Sequence, residues 1–367
     1  MKRILVMSFG SDVGGIEKSL IQFLRYLVAK GFMVDLYLWR EPGLLFSQIP
    51  SEVNVVKHTL YPGKFIFWQT PIKWLWYILF RVCSFLSDPT KVFKRFPVKD
   101  YDIAISYCQN GYSPHYIINK VDAKQKILFY HHGTYDYFGR KKEIDARYFS
   151  KYDLIVAVSE STRQMLIGHF PFINNKIEVI NNLVDEDEII RLSKEPIEAS
   201  YNGPIICTVG RISPEKGQML AVETAKILKD EGTNFQWWFV GDGPDIDKCR
   251  KGVLEFGLEK ECMFWGMKSN PYPFMRLSDV YVQPSHVEAD PITIKEAMIL
   301  KKKIIATNIP ALQNALSFGK YGILVSENAK ELAEAIKTVL NHHHRTEVNN
   351  RKPANEISSE KLDKILC

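Results

Sequence analysis

Short apolar runs alternate with helix-spaced segments from the first residues onward, and the alternation halts and then begins again near residue 204. Strand-like runs cover Ile4–Ser8, Val34–Leu38, Ile103–Ser106, Ile127–Tyr130 and Leu154–Val158, with helical patterns over Gly15–Ala29 and onward from Ser159. Such alternation predicts parallel βα units whose ligands sit at the carboxyl ends of the strands. After the polar stretch Asn181–Gly203 the same logic returns: strand Pro204–Val209, a glycine turn, helix Gly217–Lys229 and strand Gln236–Val240. The expectation is an α/β protein of two Rossmann-like, doubly wound domains with a cleft between them. Domain boundaries fall at 1–182 and 203–340, with the polar stretch as linker. The tail, 341–367, loses apolar spacing at Asn341-His-His-His-Arg345 and regains it over Ile357–Leu366, which suits a helix packing back on the N-terminal domain.

Composition narrows the function classes. With 46% hydrophobic and 25% charged residues in 367, the chain has an ordinary globular balance and enough length for two cores. A net charge of +6, dispersed along the chain, provides no basic stripe for nucleic acid and favours anionic small molecules or lipid head groups. Six cysteines without a CxxC pair point to neither zinc nor a disulfide framework, and a reducing cytoplasm fits. The three adjacent histidines do not converge on one helix face, so no metal is expected there. Met1-Lys-Arg-Ile-Leu-Val-Met7 reads as a strand and lacks the form of a signal peptide.

Residues 62–99 depart from the βα pattern. Phe65, Phe67, Trp68, Trp74, Trp76, Tyr77, Phe80, Phe85, Phe93 and Phe96 are interleaved with seven basic residues and Asp88 alone as acid. The apolar stretch Trp74–Phe80 is too short to cross a bilayer. Two readings stand: a helix lying on an anionic membrane surface, or a core helix packed on the first sheet.

Two loops carry the chemistry. Gly14 and Gly15 open the first helix and let a phosphate approach backbone N–H groups, although the loop is neither a Walker A nor a GxGxxG sequence. Arg211 and Lys216 lie on the loop after the strand ending at Val209, and two cations there suit a diphosphate leaving group. Glu288 and Glu296 bracket the start of a helix running to Leu300. One carboxylate sits in the turn and the other about two helical turns deeper, suited to sugar hydroxyls.

GGIE (14–17), VGRISPEKG (209–217), FVGDGP (239–244), FWGMKSNPYPFM (264–275), SDVYVQPS (278–285) and the pair Glu288/Glu296 follow one another in the order seen in GT-B-fold retaining glycosyltransferases of family four. The chain resembles the bacterial surface-polysaccharide members most. The resemblance implies that Arg211 and Lys216 bind the donor diphosphate, that Glu296 holds the ribose and that Glu288 faces the donor sugar. Gly14, Gly15 and Gly241 join the donor-binding set. In place of the family's GFG-like run stand Ala289, Asp290 and Pro291; Pro291 has no N–H, so Ile292 and Thr293 become the phosphate donors. A family histidine near the transferred sugar maps onto His132, between Tyr130 and Tyr135, with His131 as the alternative.

The implied reaction moves a sugar from a nucleoside diphosphate sugar, most simply a UDP-sugar, to a glycan or lipid-linked glycan acceptor, with retained configuration. Neither a metal nor another cofactor is expected, and the pairs Asp185/Asp187 and Asp245/Asp247 are read as solvated. Competing readings are a nucleotide-sugar epimerase or hydrolase of the same fold, and an inactive membrane-associated scaffold. Arg211, Lys216, Glu288 and Glu296 present together argue against the scaffold.

Overall fold

Parallel strands have to be covered on both faces, and consecutive side chains must find apolar partners on opposite sides. A computed structural model of the chain describes residues 1–10, 14–40, 43–56, 90, 93–97, 100–198, 203–341 and 355–366. The chain divides into two units, one formed by Met1–Asp12, Ile16–Asn181 and Glu360–Cys367, the other by Val13–Gly15 and Asn182–Ser359.

The first unit holds β1 (Arg3–Ser8), β2 (Met33–Leu38), β3 (Asn54–Val55), β4 (Tyr101–Ser106), β5 (Ala123–Tyr130), β6 (Leu154–Ala157) and β7 (Ile177–Val179). They form one parallel sheet in the order β3-β2-β1-β4-β5-β6-β7. Helices α1 (Gly15–Ala29), α2 (Ser113–Lys120), α3 (Gly139–Phe149) and α4 (Glu160–His169) connect the strands. The start of α4 is set locally: the Ser159 hydroxyl accepts the Thr162 N–H, as an N-cap should.

The second unit begins with α5 (Glu186–Leu192) and continues through β8 (Ile205–Val209), α6 (Gln218–Asp230), β9 (Gln236–Val240), α7 (Ile246–Glu255) and β10 (Cys262–Gly266). After these come α8 (Tyr272–Leu277), β11 (Val280–Gln283), α9 (Ile292–Ile299), β12 (Lys303–Thr307), α10 (Pro310–Ala315), β13 (Ile323–Val325) and α11 (Ala329–Asn341). The strands order as β10-β9-β8-β11-β12-β13, all parallel. The chain winds outward from β8 and then returns to β8's other side at β11, so the loops after these two strands flank a topological switch point. A last helix, α12 (Asn355–Leu366), ends on the first unit: Tyr26 and Lys30 bind Asp363 at 2.6 and 2.8 Å, and Leu362 and Leu366 are buried.

Trp237 and Trp238 show how the second sheet is covered. Being adjacent on β9, they point to opposite faces. Trp237 stacks on Phe239, which stacks on Phe264, among residues of α6, α7 and α11. Trp238 meets Trp265 and Phe274 edge-on, on the face covered by α8, α9 and α10.

The structure departs from the sequence reading in the linker. Asn181–Gly203 carries α5, begun by Asp185, whose carboxylate accepts the Glu188 N–H at 2.9 Å. Asp185 is thus a helix cap, a role that its short side chain and the following acids suit. Within 62–99, Phe93 and Phe96 belong to the core beside Trp39, Tyr37 and Tyr116. Residues 62–89, 91–92 and 98–99 of that stretch, Trp74–Phe80 among them, lie outside the described residues, as do the three histidines at 342–344. Among the described residues no helix is long and apolar enough to cross a membrane.

Trp237 is fully buried, so Trp237→Ala should lower unfolding stability by about 3–5 kcal/mol, read from urea denaturation.

Candidate active site

Three loops at the carboxyl edge of the second sheet touch backbone to backbone. A Cβ on Gly217 would lie 2.0 Å from the Pro284 carbonyl oxygen, and Gly217 has φ 67°. A Cβ on Gly241 would lie 1.9 Å from the Gly210 oxygen, and one on Gly243 would lie 2.2 Å from the Ile212 oxygen. The loops after β8 and β9 are therefore bonded face to face: Ile212 N–H donates to the Asp242 carbonyl at 3.0 Å, and Asp245 N–H to the Ile212 carbonyl at 3.1 Å. This contact gives Gly241 a packing role. Asp245 precedes α7 and its side chain makes no cap hydrogen bond there.

The β8 loop is joined to the β11 loop by main chain and by charge. His286 and Val287 N–H groups both donate to the Glu215 carbonyl, at 2.9 and 3.1 Å. The Lys216 ammonium meets Glu288 Oε2 at 2.7 Å, the two side chains being 27% and 6% exposed. Glu288 Oε1 accepts from Gln283 Nε2 and from the Ser285 hydroxyl, each at 2.8 Å. Gln283 is oriented in turn by Tyr281 and Thr293, whose hydroxyls donate to its Oε1 at 2.6 and 3.0 Å. A buried carboxylate is thus satisfied by a cation and two neutral donors.

Glu215, between the two cations in sequence, is half-buried. Burial would raise its carboxyl, but its own backbone N–H, the Ser213 hydroxyl and the charges of Lys216 and Arg211 outweigh that and hold it below the ordinary glutamate value. Arg211 is exposed and makes no ion pair among the described residues. Its carbonyl accepts from Gln218 Nε2 at 3.0 Å, which steadies the loop rather than the guanidinium.

Glu296 lies one element deeper. It is buried on α9, and Tyr272 donates its hydroxyl to Oε1 at 3.0 Å. Burial, followed by the Glu296 charge, drives the Tyr272 phenol far above its usual range, so it serves as a permanent donor. Ile292 and Thr293 open α9, which follows Pro291 and has no side-chain cap. Asp290 pairs with Lys295 at 2.6 Å.

In the first unit, the loop after β5 separates its two histidines. His131 is buried, its backbone N–H donates to Gln109 Oε1 at 3.0 Å, and its ring lies 4.8 Å from that of Tyr107. His132 is exposed, with Nδ1 3.1 Å from the Thr134 carbonyl oxygen. Tyr135 anchors the loop by donating to Asp145 Oδ2 at 2.9 Å. Burial would raise the Asp145 carboxyl, but His115, Lys141 and Tyr135 together hold it below the ordinary aspartate range. Gly14 and Gly15 stand at the start of α1, and a Cβ on Gly15 would meet nothing within 4 Å.

Reading motifs alone misses Gln283, Ser285, Tyr272 and Lys295. Only the position of Gln283 at the end of β11 and of Ser285 in the next turn could have signalled them, since their partners come from the fold.

The family model "Glycosyltransferase Family 4" matches residues 13–188 and "Glycosyl transferases group 1" matches residues 190–355. The 2-deoxystreptamine glucosyltransferase of Streptomyces kanamyceticus is 30% identical over 196 residues, 51% of each chain. The putative colanic acid biosynthesis glycosyltransferase WcaL of Escherichia coli K12 is 28% identical over 158 residues, 41% of this chain and 39% of its own. The chain spans about half the length of the curated relatives it matches. Anabaena Alr3699/HepE, solved in complex with UDP and glucose, shares the fold at a TM-score of 0.73 and 16% identity, over all of this chain and 99% of that one. The chain belongs to the GT-B glycosyltransferases of family four.

Two outcomes follow from the geometry. Gly217→Ala combines a left-handed backbone with a carbonyl clash and should destabilise the second unit by at least about 1–3 kcal/mol, measured by urea unfolding. The Asp145 contribution has a folded value below the unfolded one, so it is present above about pH 4 and lost as pH falls through the folded value. Asp145→Asn should therefore be less stable than wild type at about pH 6, and the gap should narrow by about pH 2.5 in urea midpoints.

Proposed function

We propose that the chain transfers a sugar from a nucleoside diphosphate sugar, a UDP-sugar in the first instance, to a hydroxyl of a glycan or lipid-linked glycan in cell-surface polysaccharide synthesis. The observation that carries this reading is the Lys216–Glu288 pair at the β8/β11 switch point, with Arg211 on the same loop. Lys216 and Arg211 neutralise the departing diphosphate, and the Glu288 carboxylate holds the ammonium in register for it. Glu296, buried and oriented by Tyr272, accepts hydrogen bonds from the ribose hydroxyls. Backbone N–H groups at Ile292, Thr293, Gly14 and Gly15 complete the anion site.

Transfer proceeds on one face of the sugar. The bond from the anomeric carbon to the β-phosphate oxygen breaks, and the bond to the acceptor oxygen forms. The acceptor proton passes to the departing diphosphate, and His132 steadies the sugar near the reacting carbon. Configuration is retained, and the two cations take the part that a metal plays elsewhere. Relatives named for colanic acid synthesis support a surface glycan as product, and a neighbour holding UDP and glucose supports the donor class. Four cysteines among the described residues are buried and free, which suits a reducing cytoplasm. Attachment to an anionic membrane, by way of 62–99, would bring a lipid-linked acceptor within reach.

Thermal stabilisation by UDP, GDP, ADP and CMP, with and without EDTA, tests the donor. UDP alone at a hundred times its Kd should add about 2.7 kcal/mol, unchanged by EDTA. No shift with any nucleotide would favour the scaffold reading, and turnover of donor without acceptor would favour an epimerase or hydrolase. Arg211→Ala should lower transfer by at least about a hundredfold with the fold intact, and a variant with wild-type turnover would remove the diphosphate assignment.

A further inference from the structure

Between Glu288 and Glu296 the second unit contains a buried ion pair that the chemistry above leaves unused. Asp290 Oδ2 and Lys295 Nζ meet at 2.6 Å, with side chains 5% and 15% exposed. Both also grip one backbone residue: Asp290 Oδ2 accepts the Asn182 N–H at 2.7 Å, and Lys295 Nζ donates to the Asn182 carbonyl at 3.0 Å. Carboxylate, ammonium and the two peptide groups close a ring of hydrogen bonds.

Asn182 is where the chain enters the second unit. The residue before it, Asn181, is tied within the first unit, its Nδ2 donating to the Val158 carbonyl at 2.8 Å. A single peptide link thus separates an anchor in one unit from an anchor in the other. The anchoring continues downstream inside the second unit. Asn355 uses its side-chain amide to bond both the N–H and the carbonyl of Val184. Val184, Ile189, Tyr272 and Ile292 then form an apolar cluster of their own. The segment 182–192 and the loop carrying Glu288 are therefore packed as one piece.

We propose that Asp290 and Lys295 are positioning residues that couple occupancy of the loop between Glu288 and Glu296 to the connecting peptide Asn181–Asn182. The proposal rests on the donor reading above. A buried charge pair contributes little net stability but tolerates few geometries, because a small slip leaves ions desolvated and unpaired. A shift of this loop on binding a diphosphate must accordingly carry Asn182 with it.

Hydrogen–deuterium exchange of the full chain, with and without UDP, tests the coupling. The proteins are wild type, Lys295→Met and the double variant Asp290→Asn/Lys295→Gln, which removes both charges and leaves no buried ion unpaired. UDP should slow exchange in peptides covering 179–184 by at least about fivefold in wild type and by less than about twofold in both variants. In the variants UDP affinity should stay within about threefold of wild type while turnover falls at least about tenfold. Equal protection of 179–184 in all three proteins overturns the coupling, and protection retained at 209–217 then leaves the donor reading standing. Faster exchange throughout 203–341 in both variants without ligand marks the pair as structural only and also overturns it. If UDP protects neither 209–217 nor 288–296 in wild type, the donor reading fails and the coupling fails with it.

Discussion

Close backbone contact at the carboxyl edge of the second sheet is the constraint on which the candidate site depends. Gly217 lies against the Pro284 carbonyl, Gly241 against Gly210 and Gly243 against Ile212, each nearer than any Cβ would permit. With no side chains between them, the loops after β8, β9 and β11 become one surface. The strands beneath are buried on both faces, so this surface stands on a rigid base. Functional groups on such a surface keep their spacing without needing large stability of their own.

Charge is distributed over this surface in pairs. Glu288 is matched by Lys216, Asp290 by Lys295, and Glu215 by the joint field of Lys216 and Arg211. Glu296 accepts the Tyr272 hydroxyl at its Oε1. These partners distinguish two glutamates which the E-x7-E spacing presents as equivalent.

The glycine turns and the two-domain repeat were legible in the sequence because each arises from local rules: period-two burial, helix spacing and the left-handed conformations that only glycine accepts readily. Most of the expected strands lie within a residue or two of their place, while β5 begins at Ala123 rather than Ile127, because its first half alternates with lysines and glutamine and lacks an apolar run. The linker read as polar coil contains α5, since acids at a helix start look like solvated loop until their N-cap role is seen. Phe93 and Phe96 read equally well as membrane anchors or core, and packing against Trp39 and Tyr116 made them core. Of the two histidines after β5, neighbours on the first sheet bury His131 and leave His132 exposed, which adjacency in sequence could not tell apart.

The sequence by itself determined the parallel α/β class, the two sheets, the placing of Arg211, Lys216, Glu288 and Glu296 at strand ends or helix starts, and the family resemblance. Only the tertiary structure decided which partner each polar group takes. Glu288 meets Lys216, and Asp290 meets the Asn182 backbone 108 positions away, because strand order and loop packing set those distances. Secondary structure follows from neighbours along the chain, whereas hydrogen-bond partners follow from neighbours in space. Periodicity encodes the first kind and carries no address for the second.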